Sequence, residues 1–123
     1  MYTLSIETKF ASAHQLREYN GKCENLHGHS WRVQVVVRAH SLNKIGLAMD
    51  FTDLKKLANE IIGPLDHVCL NDLPQFANVN PSSENISRWI FESMKEKVAA
   101  YNVELKSVTV WESETAAATY TEE

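Results

Sequence analysis

Residues 27–38, His-Gly-His-Ser-Trp-Arg-Val-Gln-Val-Val-Val-Arg, alternate in the way a strand with one dry face must. Trp31, Val33, Val35 and Val37 fall on one side. Arg32, Gln34 and Arg38 fall on the other, with Val36 the single break in the polar series. Alternate residues of a strand point the same way, about 6.6–6.8 Å apart. His27 and His29 therefore stand side by side, in register with the apolar face, and Gly28 between them leaves room for other groups to approach. Two imidazoles so placed are half of a metal site.

Residues 3–14 alternate as well. Leu4, Ile6 and Phe10 share a face, and the same phase runs through Ser12 to His14. If the two strands pair as antiparallel neighbours, the end of the first lies beside the start of the second. His14, His27 and His29 then converge at one end of the sheet. The connection from Gln15 to Leu26 contains a turn signal, Tyr19-Asn20-Gly21-Lys22, and brings Cys23 into the same neighbourhood.

Further along, Asp50 or Thr52 is suited to cap a helix in which Leu54, Leu57, Ala58, Ile61 and Ile62 recur at helical spacing, and Gly63-Pro64 stops it. Leu65 to Asp72 is irregular, and residues 74–82 read as a loop. Pro81-Ser82-Ser83-Glu84 opens a second helix, expected to reach about Tyr101 with Ile86, Trp89, Ile90, Met94, Val98 and Tyr101 on one face. Strands follow at Leu105–Glu112 and from about Ala116 to Thr121. The order strand, strand, helix, helix, strand, strand predicts one α+β domain over residues 1–123. Two helices would cover one face of a four-stranded antiparallel sheet. Its exposed edges predict oligomerisation by edge pairing.

Composition narrows the function. A net charge of −4 without a dense Lys/Arg run argues against nucleic-acid binding. No apolar stretch approaches the roughly 18 residues a membrane span needs. The N-terminus lacks a basic-then-apolar signal, so the two cysteines read as reduced thiols of a cytoplasmic protein.

Three histidines with an open fourth position make a catalytic kind of zinc site, whereas Cys23 as fourth ligand would close it into a structural one. A lone His-Gly-His more often serves local hydrogen bonds, and the alignment of His14 on the same face favours the metal. Cys23 is either a small buried hydrophobe or a thiolate favoured by a nearby cation. Asp66-His67 is either a loop-stabilising pair or a carboxylate-oriented proton carrier. Cys69, between Val68 and Leu70, is expected to pack in the core. Glu112 shares a side with Val108 and Val110, where a carboxylate needs a donor partner such as a guanidinium or a 2-amino-pyrimidinone edge, unless the strand end is solvated. Arg17, Lys22, Lys9 and Arg38 are either solvated surface or contacts for an anionic substrate.

Together these pieces resemble the 6-pyruvoyl-tetrahydropterin synthase family. The markers are Phe10-Ala11-Ser12-Ala13-His14, Cys23 three residues before His27-Gly28-His29, and Asp50-Phe51 with Leu54-Lys55. Leu65-Asp66-His67 with Leu70-Asn71, Pro81-Ser82-Ser83-Glu84-Asn85 and Glu112 complete the set, in the family's order over almost the whole chain. The resemblance implies the tunnelling fold, ββααββ subunits joined edge to edge into barrels, as a homo-oligomer (a hexamer of two trimers) with active sites between subunits. It implies Zn2+ on His14, His27 and His29, Cys23 as general base, and Asp66 and His67 as its relay. Glu112 is then the residue that anchors a pterin and shares in the relay, with Ser83 and Glu84 in a second pterin-contacting stretch where serine replaces an expected threonine. The short spacer before His27 resembles the bacterial carboxy-forming branch. That implies conversion of 7,8-dihydroneopterin triphosphate to 6-carboxy-5,6,7,8-tetrahydropterin with loss of acetaldehyde and triphosphate, towards queuosine. The alternatives are the pyruvoyl-forming elimination on the same substrate and a non-enzymatic, zinc-stabilised binding module.

Overall fold

Strands β1 (Tyr2–His14) and β2 (His27–Ala39) pair antiparallel along their whole length, from Tyr2 opposite Ala39 to His14 opposite His27. The computed structural model describes residues 1–18 and 24–122. The turn expected at 19–22 and Cys23 lie outside them. Helices α1 (Phe51–Ile62) and α2 (Ser83–Val98) follow, then β3 (Glu104–Ser113) and β4 (Ala116–Tyr120). The sheet runs β1-β2-β3-β4, antiparallel throughout, which is the predicted α+β arrangement.

The alternation decides which face is covered. Ile6, Phe10, Trp31, Val33, Val35, Val37, Val108 and Val110 turn inward and meet Leu54, Ala58, Ile61, Ile86, Ile90 and Met94 from the helices. Full burial of each large aliphatic side chain contributes about 1.5–3 kcal/mol. Asp50, rather than Thr52, caps α1: its carboxylate accepts the Thr52 N–H at 2.8 Å. Ser82 caps α2 through the Asn85 N–H.

Helix α2 stops at Val98, short of Tyr101. There Tyr101 N–H bonds Val98 O at 2.9 Å, a tightened turn that reverses the chain toward β3 and leaves Tyr101 exposed. Cys69 also departs from expectation. It is a free, half-buried thiol whose backbone bridges Ala13, because its segment runs along the sheet edge rather than through the core.

That segment caps the outer edge of β1 near its end. Ala11 N–H donates to Asp66 Oδ1 at 2.8 Å, His67 N–H to Ala11 O at 2.6 Å and Ala13 N–H to Val68 O at 3.1 Å. The Ser12 hydroxyl bonds Leu65 O from the inner face. Among the described residues the first half of β1 pairs only with β2, and β4 only with β3. No helix among the described residues is long and apolar enough to cross a membrane.

Candidate metal and active site

Register alone brings the histidines together. His14 ends β1 directly opposite His27, the first residue of β2, and His29 follows two residues later on the same face. The His14 and His27 Nε2 atoms are 3.1 Å apart. His14 Nδ1 lies 2.7 Å from Pro81 O, and His27 Nδ1 lies 2.8 Å from Asn25 O. A carbonyl only accepts, so both Nδ1 atoms carry a proton, and each ring in its neutral form then presents a lone pair at Nε2. Two lone pairs meeting at 3.1 Å repel unless a proton or a metal ion lies between them.

His29 Nε2 is buried and, among the described residues, has no hydrogen-bond partner. Glu112 Oε1 stands 3.0 Å from it, too poorly aligned for a hydrogen bond, and 3.9 Å from His14 Nε2. Burial, followed by the neighbouring imidazoles, outweighs Glu112 and holds the His29 pKa below its ordinary 6.5. One donor atom from each of His14, His27, His29 and Glu112 lies within 4.8 Å of all the others. Ligand bonds of about 2.1 Å place the corners of a tetrahedron about 3.4 Å apart. The donor set therefore fits a tetrahedral ion of the zinc type: three neutral imidazoles and one carboxylate. Trp31, fully buried, stands edge to face with His14 and His29, at centroid distances of 4.9 and 5.2 Å, and walls the group off from the core.

Glu112 continues the inward-facing series of Val108 and Val110, and an irregularity frees its backbone. Pairing of β3 with β4 shifts register between Trp111 and Ser113, so Glu112 is the unpaired extra residue. Its Oε2 is 3.5 Å from the hydroxyl of Ser83, which is buried at the start of α2. Glu84, next along, is exposed in the same first turn.

Asp66 and His67 form the expected pair, with Oδ2 and Nδ1 2.9 Å apart. The Ala11 N–H, ahead of the His67 contacts, holds the Asp66 carboxyl below its ordinary 3.8. The pair is not part of the histidine cluster. It stands beside Ala11, three residues before His14 and so about 10 Å up the strand, with the imidazole 81% exposed. His67 also sits at φ 57°, a left-handed backbone that a non-glycine residue adopts at some cost. Cys23 lies outside the described residues.

A clasp missing from the sequence reading fixes the stretch after His14. Asn71 takes both backbone groups of Gln15, accepting from its N–H and donating to its carbonyl, each at 2.9 Å. Asn80 does the same to Arg17 at 2.7 and 3.0 Å. The Arg17 guanidinium, read as a contact for an anionic substrate or as surface, is spent on the carbonyls of Phe76, Val79 and Asn71. The partners are 54–63 residues apart in the chain, so no local pattern announces them.

A family model described as 6-pyruvoyl tetrahydropterin synthase matches residues 3–123. The 6-carboxy-5,6,7,8-tetrahydropterin synthase of Synechocystis is 39% identical, covering 98% of this chain and 93% of that protein. The 6-pyruvoyl tetrahydrobiopterin synthase of Homo sapiens is 36% identical, covering 89% of this chain and 77% of that protein. Among solved structures, 6-pyruvoyl tetrahydropterin synthase of Caenorhabditis elegans superposes with a TM-score of 0.85 at 26% identity, over 99% of this chain and 96% of that one.

Proposed function

This chain belongs to the 6-pyruvoyl tetrahydropterin synthase family, and from that membership we propose a zinc-dependent carbon–carbon lyase. Its substrate is 7,8-dihydroneopterin triphosphate, and its products are 6-carboxy-5,6,7,8-tetrahydropterin, acetaldehyde and triphosphate. The reaction belongs in the cytoplasm, on the route to queuosine and related 7-deazaguanines. The observation that carries this reading is the meeting of three histidine nitrogens beside Glu112, in a chain 39% identical to a carboxy-forming relative over nearly its whole length.

His14, His27 and His29 hold the ion, which supplies Lewis acidity toward oxygens of the substrate side chain. Cys23, four residues before His27, takes a carbon-bound proton as a thiolate, the form that nearby positive charge favours. Glu112 accepts the 2-amino and ring N–H groups of the pterin through its two oxygens, and orients the side chain toward the histidines. Ser83 steadies that carboxylate, and Glu84 lies in the same pterin-contacting turn. Asp66 fixes the His67 ring by its 2.9 Å contact, leaving the far nitrogen to carry protons. The distance of this pair from its own chain's histidines, and its exposure, support a homo-oligomer in which it serves a neighbouring subunit's site. The uncovered edges of β1 and β4 are where such an assembly would join.

The 36% identity to the human pyruvoyl-forming relative favours a second reading, elimination of triphosphate without loss of carbon. One assay separates the two. Zinc-loaded protein is incubated with 7,8-dihydroneopterin triphosphate while acetaldehyde, triphosphate and pterins are measured. Acetaldehyde with a 6-carboxy product supports the lyase. Triphosphate with a pyruvoyl product and no acetaldehyde selects the second reading. No turnover by a verified zinc-bound oligomer overturns both and leaves a binding module.

A further inference from the structure

We propose that Glu112 is a displaceable fourth ligand: it closes the metal position when no pterin is bound, and leaves it when a pterin takes its carboxylate. The inference rests on the pterin reading of this site and adds a resting state to it.

Three observations carry it. First, Glu112 Oε1 faces the buried, partnerless His29 Nε2 at 3.0 Å and completes the one four-donor group found among the described residues. The competing carboxylate, Glu24, comes only within 3.8 Å of His27 Nε2 and is committed to the Leu16 N–H at 3.1 Å. Second, Glu112 is free to move. Its side chain is 38% exposed, its backbone is the unpaired residue of the β3–β4 irregularity, and its other oxygen has only a long 3.5 Å contact, with Ser83. Third, its two tasks compete. A carboxylate that pairs both oxygens with the N–H donors of a 2-amino-4-oxopteridine edge must take the plane of that ring and shares its negative charge with those donors, so it serves an ion beside His29 less well.

The consequence is a coupling with a definite sign. Two ligands that compete for one side chain weaken each other, by the same factor in either direction. The pterin ring must then bind more weakly to the metal-loaded protein than to the metal-free protein, and must loosen the metal equally. A substrate side chain that reaches the ion would compensate for the lost carboxylate, whereas the bare ring would not.

Unsubstituted pterin is therefore the probe, with Co2+ in place of Zn2+ to give visible absorption. The wild type and Glu112→Gln, which keeps size and shape, are compared by Zn2+ competition with a chelator, by the Co2+ bands and by ring fluorescence. Glu112→Gln is expected to lose at least the roughly tenfold in Zn2+ affinity that even an outer-shell partner is worth, and to shift the Co2+ bands. Pterin added to the wild type should move the bands toward those of the variant and lower Zn2+ affinity. Equal Zn2+ affinity and identical bands in the two proteins would overturn the ligand role. Bands that stay fixed while fluorescence shows pterin bound would overturn the exchange. Absence of pterin binding by both metal-loaded and metal-free protein would instead sink the pterin reading and the exchange with it, leaving the Zn2+ comparison to decide the ligand role alone.

Discussion

Replacing Asn71 by alanine removes a side chain that touches no histidine, yet it should loosen the chain beside His14. The amide of Asn71 satisfies both the N–H and the carbonyl of Gln15 at 2.9 Å, as a neighbouring strand would. Each such bond contributes about 1 kcal/mol net, and more where the groups left behind are poorly hydrated. Gln15 is half-buried, so the expected loss is about 2 kcal/mol. For a domain of this size that corresponds to roughly 8 °C in Tm. Asn71→Asp sharpens the test. It keeps the acceptor for the Gln15 N–H but sets a second oxygen against the Gln15 carbonyl, and should cost at least as much as alanine. Thermal unfolding followed by circular dichroism reads both variants. Protomer and zinc concentrations must be held constant, because assembly and metal binding shift Tm by mass action. Asn80→Ala acts on the same segment through Arg17, so the double variant should lose less than the sum of the singles. Tm values within about 2 °C of wild type for both Asn71 variants, or an Asn71→Asp protein as stable as wild type, would refute the clasp.

The other expectations concern the site and its protons. His27→Ala should abolish stoichiometric zinc binding, read by metal analysis after dialysis. His27 is 38% exposed, so the change should move Tm of the metal-free protein by less than about 3 °C, and a zinc-replete variant would contradict the ligand assignment. Cys23→Ala should abolish turnover while zinc content stays stoichiometric; loss of zinc would mean that Cys23 closes the site. Burial holds His29 below 6.5, so as the pH falls through 6.5 the unfolded chain binds the proton first. Metal-free protein should then be less stable at pH 5.5 than at pH 7.5 in urea titrations, and Gln in place of His29 should flatten that slope. Asp66 has the same sign in a more acidic range. Its folded pKa lies below 3.8, so its contribution is complete above that value and disappears as the pH falls through the folded value. Asp66→Asn should therefore speed amide exchange at Ala11 at pH 6, and an unchanged exchange rate would count against the edge clasp.

Much of this molecule is legible because strands alternate. Once Trp31, Val33, Val35 and Val37 are assigned to the core, the phase of β2 places His27 and His29, and the phase of β1 places His14 opposite them. The same parity put Glu112 on the inner face, although the irregularity that frees it has no signature in Val-Trp-Glu-Ser. Tyr101 misled because its spacing continues the stripe of α2, while the end of that helix is set by the need to reverse into β3. The clasp of Asn71 and Asn80 was unreadable for a different reason. Its partners are main-chain groups, identical in almost every residue and distant in the chain. Proximity of Asp66-His67 in the sequence was clear, but their separation from the histidines depends on which edge of β1 the segment joins.

The orientation of His14 and His27 by the carbonyls of Pro81 and Asn25 bears on how this site tolerates mutation. A peptide oxygen is present whatever side chain position 25 or 81 carries, so no base change there can delete it. What such a site resists is spelling; what it is exposed to is length. A single-residue insertion or deletion before Ser82 or between Asn25 and His27 would carry the oxygen away from its imidazole and free the ring to take the other tautomer, even though every histidine is still encoded.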